Sequence, residues 1–75
     1  MIGYSQKIVQ LNKKASIKNL GVRLGRYCIS RDVPVTDVMV LFSVTKQTVY
    51  NWFSGTHVPS KDHQKSILTF FGSKT

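Results

Sequence analysis

The sequence predicts an all-α fold, a small bundle of four to five short helices. Three observations predict it. Apolar residues recur at three- and four-residue spacing over four successive stretches. Each stretch opens on a Ser or Thr suited to a helix N-terminus: Ser16, Thr36, Thr45 and Ser60. Pro, Gly or a short polar turn closes each one. At 75 residues the chain holds one small domain, and 41% hydrophobic content is enough for a core. Disorder is therefore not expected through its middle.

Residues 1–16 are polar and basic, with a brief alternation at Ile8, Val9 and Leu11. An arm, a short strand and a helical turn all fit them, and the spacing does not choose; the segment is set apart as a basic arm. Residues 17–72 form the folded domain. Its first helix is predicted over residues 17–31, with Ser16 as N-cap and Ile17, Leu20, Leu24 and Cys28 as the buried stripe beside Tyr27. Gly21 and Gly25 weaken that helix by about 1 kcal/mol each relative to Ala, and they permit a neighbouring helix to come close. Asp32-Val33-Pro34 ends it.

A short second helix comes next, with Thr36 as N-cap, Asp37 at the positive end of the dipole, and Val38, Leu41 and Phe42 buried near Met39. By content alone residues 38–42 also fit a strand. The adjoining residues argue for the helix: Ser43-Val44-Thr45 reads as a turn closing on a new N-cap, Thr45. In the third helix Val49, Trp52 and Phe53 take helical spacing, and Ser54-Gly55 supplies the stop. The last helix starts at Ser60, carries Asp62 in its first turn, turns Gln64, Ile67, Leu68 and Phe71 inward, and ends at Gly72.

Positive charge dominates the first part of the chain. There are 11 Lys and Arg against 3 acidic residues, a formal net charge of +8. Through residue 31 the chain has Lys7, Lys13, Lys14, Lys18, Arg23, Arg26 and Arg31 and no acid; Asp32, Asp37 and Asp62 all come later. So lopsided a field attracts polyanions. Lys13, Lys14 and Lys18 are candidate phosphate contacts, against the plainer reading that they solvate the surface.

Other chemistry finds little support. One cysteine, Cys28, leaves no intramolecular disulfide framework and fits a reducing compartment. It falls on the buried stripe, so it reads as inert core and not as a nucleophile. Cys28, His57 and His63 match no metal-ligand spacing. Three scattered aspartates form no acid–base pair, and no Gly-rich phosphate loop occurs. The expectation is a non-enzyme without cofactor or metal. No apolar run approaches the ~18 residues of a membrane span, and the start lacks a signal-peptide pattern, so the expected address is cytoplasmic.

The informative stretch is residues 35–55, VTDVMVLFSVTKQTVYNWFSG. Two short helices meet at a tight turn. The second presents Lys46, Gln47, Thr48, Tyr50, Asn51 and Ser54 outward, with Val49 and Trp52 inward. A major groove admits one helix whose facing side chains form hydrogen bonds. Gln and Asn pair with adenine, Lys reaches guanine acceptors, and Thr and Tyr meet phosphates or a thymine methyl. The helix N-terminus adds free amides for a phosphate.

On these residues the chain resembles the phage Cro/cI repressors, the XRE family of helix-turn-helix proteins, over roughly residues 17–71. VTKQTVYNWFSG carries the sharpest part: a small capping residue, a polar triplet, Val, two exposed residues, an aromatic, and a small residue before Gly. Four positions depart from the family pattern. Met39 replaces a small residue, Ser43 a turn glycine, Val35 a phosphate-clamping Gln, and Phe53 a polar residue.

The resemblance implies a lambda-repressor-like fold and a transcriptional regulator, a repressor by preference, in the cytoplasm of a bacterial host and associated with its nucleoid. It implies a recognition helix over residues 45–53. Lys46, Gln47, Tyr50 and Asn51 then face bases, Thr45 and Thr48 meet phosphates, and Ser54 sits where the next loop meets the backbone. Double-stranded DNA is the implied partner, a homodimer is left open, and no small-molecule effector is expected in so small a chain. Two other readings stay beside this one. The fold could dock on a host protein through Phe53, Phe70 and Phe71, or bind and bend DNA with little sequence preference.

Overall fold

Residues 4–72 are described by the computed structural model of the chain, and they form five helices: α1 (Gln6–Lys14), α2 (Leu20–Ser30), α3 (Val35–Phe42), α4 (Lys46–Ser54) and α5 (Lys61–Gly72). The fold is all-α, and α3 and α4 make a helix-turn-helix. α4 lies at the centre, packed against α1, α2 and α3, while α2 also carries α1 and α5. Residues 38–42, which also fitted a strand, are helical.

The two glycines of α2 set how closely it meets α4. A Cβ on Gly21 would lie 2.8 Å from the Trp52 Cβ, and one on Gly25 would lie 2.7 Å from the Phe53 Cγ. Neither distance is tolerable, so the close approach that these glycines suggested is required here. Around it Leu24, Cys28, Val38, Val49, Trp52, Phe53 and Ile67 form the core. Burial pushes the Cys28 thiol up to about 12, in keeping with an inert core position.

Residues 1–3 of the segment set apart as an arm lie outside the described residues, and Gln6–Lys14 within it is a helix of that same core. Ser5 caps α1 by accepting from the Ile8 amide, and Tyr4, Ile8 and Asn12 are buried. These three recur every fourth residue, but one is an asparagine, so the apolar pattern was too sparse to register. The Tyr4 hydroxyl donates to the Val33 carbonyl at 2.6 Å, and its ring stands 5.5 Å from that of Phe53.

Helix starts differ from expectation where another cap competes. α2 begins at Leu20 and not at Ile17, because Asn19 Oδ1 accepts from the Gly21 amide at 2.9 Å. Ser16 instead closes a turn on the Lys18 amide, and Ile17 is left half in solvent. α3 begins at Val35, so Thr36 is not its cap. Pro34, with φ fixed at −61°, occupies that place and offers its carbonyl to the Asp37 amide at 3.0 Å. Its buried stripe is Val35, Val38 and Phe42; Leu41, expected inside, is 56% exposed. A short helix covered chiefly by one neighbour buries only a narrow stripe, and Leu68 on α5 is exposed for the same reason.

Two helix ends use left-handed residues that are not glycine. At Asp32 (φ 57°) the Val33 amide reaches back to the Cys28 carbonyl at 2.9 Å. At Ser43 (φ 56°) the Val44 amide reaches the Met39 carbonyl at 3.0 Å. Both are Schellman closures, in which a side chain other than glycine is strained. Gly55 (φ 82°) ends α4 in the same region without that penalty.

Among the described residues no helix is long and apolar enough to cross a membrane. The expected apolar docking surface loses one member: Phe53 is fully buried, and Phe70 and Phe71 pack edge-on against Tyr27.

Candidate nucleic-acid interface

α4 is held at both ends and along its inner face. Thr45 caps it, with Oγ1 accepting from the Thr48 amide at 3.2 Å. At the far end the Trp52 carbonyl accepts from the Gly55 amide and the Asn51 carbonyl from the His57 amide. The Phe53 carbonyl accepts from Asn12 Nδ2 at 2.8 Å. Phe42 stands edge-on to Trp52 at 6.0 Å between ring centroids, and His63 of α5 covers Trp52 at 5.0 Å.

At ~100° per residue, the buried set Val49, Trp52 and Phe53 places Gln47, Asn51 and Ser54 at the centre of the opposite face. Gln47 Nε2 donates to Asn51 Oδ1 at 3.0 Å, so the two amides are held side by side. The remaining Gln47 carbonyl oxygen and Asn51 amide nitrogen can serve an outside partner. Ser54 shares a hydrogen bond with Thr56 at 2.8 Å.

Lys46 and Tyr50 occupy one flank, with the ammonium 5.6 Å from the ring centroid. Tyr50 is half-buried against the core beside Tyr4, so it is less free than an outward reading residue. Burial raises the Tyr4 phenol well above the usual tyrosine range, and Cys28, Tyr50 and Asp37 add to the shift. Thr48 lies on the other flank, its hydroxyl 3.0 Å from that of Thr45.

Of the seven expected residues of this helix and its cap, Gln47, Asn51 and Ser54 thus share the outer face, while Lys46 and Tyr50 flank it on one side and Thr45 and Thr48 on the other. The lysines stand apart. Lys13 and Lys14 end α1, next to Ala15, and Ala15 packs beside Gly55 at the C-terminal end of α4. Lys18 lies exposed in the loop before α2. α1, α2 and α4 contain no acidic residue, so nothing on these helices offsets that charge.

Two supporting residues escaped sequence reasoning. Asn12 is only 2% exposed and joins α1 to the carbonyls of Val22 and Phe53. Arg26, counted as free charge, is tied to α1. Its Nη2 donates to the Asn12 carbonyl at 2.7 Å and reaches those of Lys13 and Ala15 at 3.3 and 3.5 Å. A guanidinium on these C-terminal carbonyls complements the negative helix end. Polar residues outside the apolar stripe give no periodic signal, so neither role was legible.

Comparison with family models, curated proteins and solved structures finds no match to this chain.

Proposed function

We propose that this protein binds double-stranded DNA sequence-specifically and regulates transcription, as a repressor of the phage Cro/cI type. One observation carries the reading: α4 is anchored by Val49, Trp52 and Phe53 while Gln47, Asn51 and Ser54 face outward in a chain of net charge +8. A polar helix face free of large apolar groups is what a major groove accepts. In this reading Gln47 and Asn51 meet bases, Lys46 and Tyr50 contact the edge of the same site, and Thr45 and Thr48 lie against phosphates. Lys13, Lys14, Lys18 and Ser54 hold the backbone near the other end of α4. The protein acts by occupancy and not by catalysis, in the bacterial cytoplasm and on nucleoid DNA.

The test is selection from a random duplex library, then anisotropy at several salt concentrations. Enrichment of one short motif, relaxed by Gln47→Ala, supports the proposal. A mirrored motif with half-sites about 34 Å apart would mean a homodimer, and a single motif a monomer. Steeply salt-dependent binding without a motif would replace it with the low-specificity reading, because phosphate contacts carry no sequence. No duplex binding near physiological salt would end it.

A further inference from the structure

A basic helix surface lies on the far side of α2. Gly21 and Gly25 turn towards α4, and at ~100° per residue Arg23 and Arg26 project from the other side. There an open groove of about 470 Å³ runs between α2 and the end of α5. Its walls include Ile17, Arg23, Arg26, Tyr27, Arg31 and Phe71.

The guanidinium of Arg23 lies 5.4 Å from the Phe71 ring centroid, and that of Arg31 lies 4.8 Å from that of Tyr27. Each is laid on an aromatic surface, which limits its motion and leaves its N–H edge for a partner. Arg26 is held by the α1 carbonyls at the rim. Among the described residues no carboxylate lines the groove. Asp32, next to Arg31 in the chain, is exposed and makes no ion pair among the described residues. Ile17, 52% exposed, supplies an apolar wall that the core does not use.

We propose that this groove docks an acidic peptide segment of a partner protein, one that places a large apolar side chain against Ile17 and Phe71 between carboxylates paired with Arg23 and Arg31. Charge complementarity selects an anionic occupant, because two oriented guanidinium groups face a groove with no acid among the described residues. A planar N–H fork matches a carboxylate. The apolar wall selects a peptide over a nucleic-acid backbone, which has no side chain to bury there. The aromatic surfaces carry guanidinium groups, which disfavours base stacking. Peptide docking here is independent of DNA binding by α4, since the groove lies on the other side of α2.

The experiment is a peptide-display selection on the full chain. The enriched peptide is then synthesised with a fluorophore and titrated by anisotropy, beside a copy with Asn and Gln for its Asp and Glu. Enrichment of carboxylates flanking a large apolar residue is expected. The exposed double substitution R23Q/R31Q should weaken that peptide about fivefold or more, as two surface ion pairs are lost. Q47A/N51A should leave it unchanged. Amide NMR shifts on adding the peptide should fall on α2 and the end of α5. The proposal is overturned if no acidic peptide is enriched, if the neutral copy binds equally, if R23Q/R31Q binds as well as the parent, or if the shifts fall on α4. It is also overturned if R23Q/R31Q abolishes binding of a DNA duplex or single strand, which would make the groove a nucleic-acid surface. Peptide binding without any duplex binding would sustain this proposal and remove the previous one.

Discussion

Asn12 Nδ2 lies 2.8 Å from the Phe53 carbonyl oxygen, a bond that spans 41 residues of chain. The same nitrogen donates to the Val22 carbonyl at 3.0 Å. One buried amide therefore ties α1 to α2 and closes the end of α4. Asn12→Ala leaves the Phe53 carbonyl without this donor and opens a small cavity, so it should destabilise the fold by about 3 kcal/mol. Urea unfolding checks this. An unchanged midpoint would mean that water replaces the amide without loss.

Gly25→Ala sets two effects against each other. Alanine improves helix propensity by about 1 kcal/mol. Its Cβ would lie 2.7 Å from both Phe53 Cγ and Asn12 Nδ2, and such overpacking costs about 1–3 kcal/mol. Two contacts from different helices cannot both be relieved by one shift, so net destabilisation is expected in thermal melts.

Ser43→Gly should do the opposite. With φ at 56° in the turn between α3 and α4, serine carries the left-handed penalty of about 1–2 kcal/mol, from which glycine's extra chain entropy must be subtracted. A gain of about 0.5–1 kcal/mol in the same urea assay is expected. Any loss would mean that the hydroxyl has a role beyond the turn.

Alkaline pH should unfold the protein through its core. Burial raises the Cys28 thiol from 9.0 to about 12. The raised group contributes stability that is complete below its unfolded value, so stability should start to fall near pH 9 and keep falling towards pH 12. The slope for one such group is at most about 1.4 kcal/mol per pH unit. The raised Tyr4 phenol steepens it above the ordinary tyrosine range. Denaturant midpoints against pH measure the effect, and Cys28→Ala should flatten the first part. Slow modification of the thiol at neutral pH gives a second readout.

If α4 reads DNA as proposed, residues assigned to bases and to phosphates should separate in binding. Gln47→Ala and Asn51→Ala should each cost about 1–3 kcal/mol on the selected duplex and little on random duplex. Lys14→Ala should weaken both alike and lower the salt slope by about one unit. Anisotropy on the two duplexes at several salt concentrations distinguishes the patterns.

The helix-turn-helix was readable because its signals are local. Thr45 and Gly55 name the ends of α4 by cap chemistry, and Val49, Trp52 and Phe53 name its inner face by spacing. α1 was not readable, because one of its two buried positions is Asn12, whose value depends on carbonyls far along the chain. Leu41 and Leu68 misled for a related reason. Spacing states which residues share a stripe, but the width of the stripe depends on how many neighbours cover the helix. On α4 spacing identified the outer face, whereas the half-burial of Tyr50 depends on core residues distant in the chain and was out of reach.

The central place of α4 has a thermodynamic consequence. A helix gripped by three others, with both termini capped, has no inexpensive way to open alone, so its excursions are those of the whole domain. Its backbone is already ordered before any encounter. A ligand that meets its outer face has only side-chain freedom left to restrict, which reduces the entropic penalty of association.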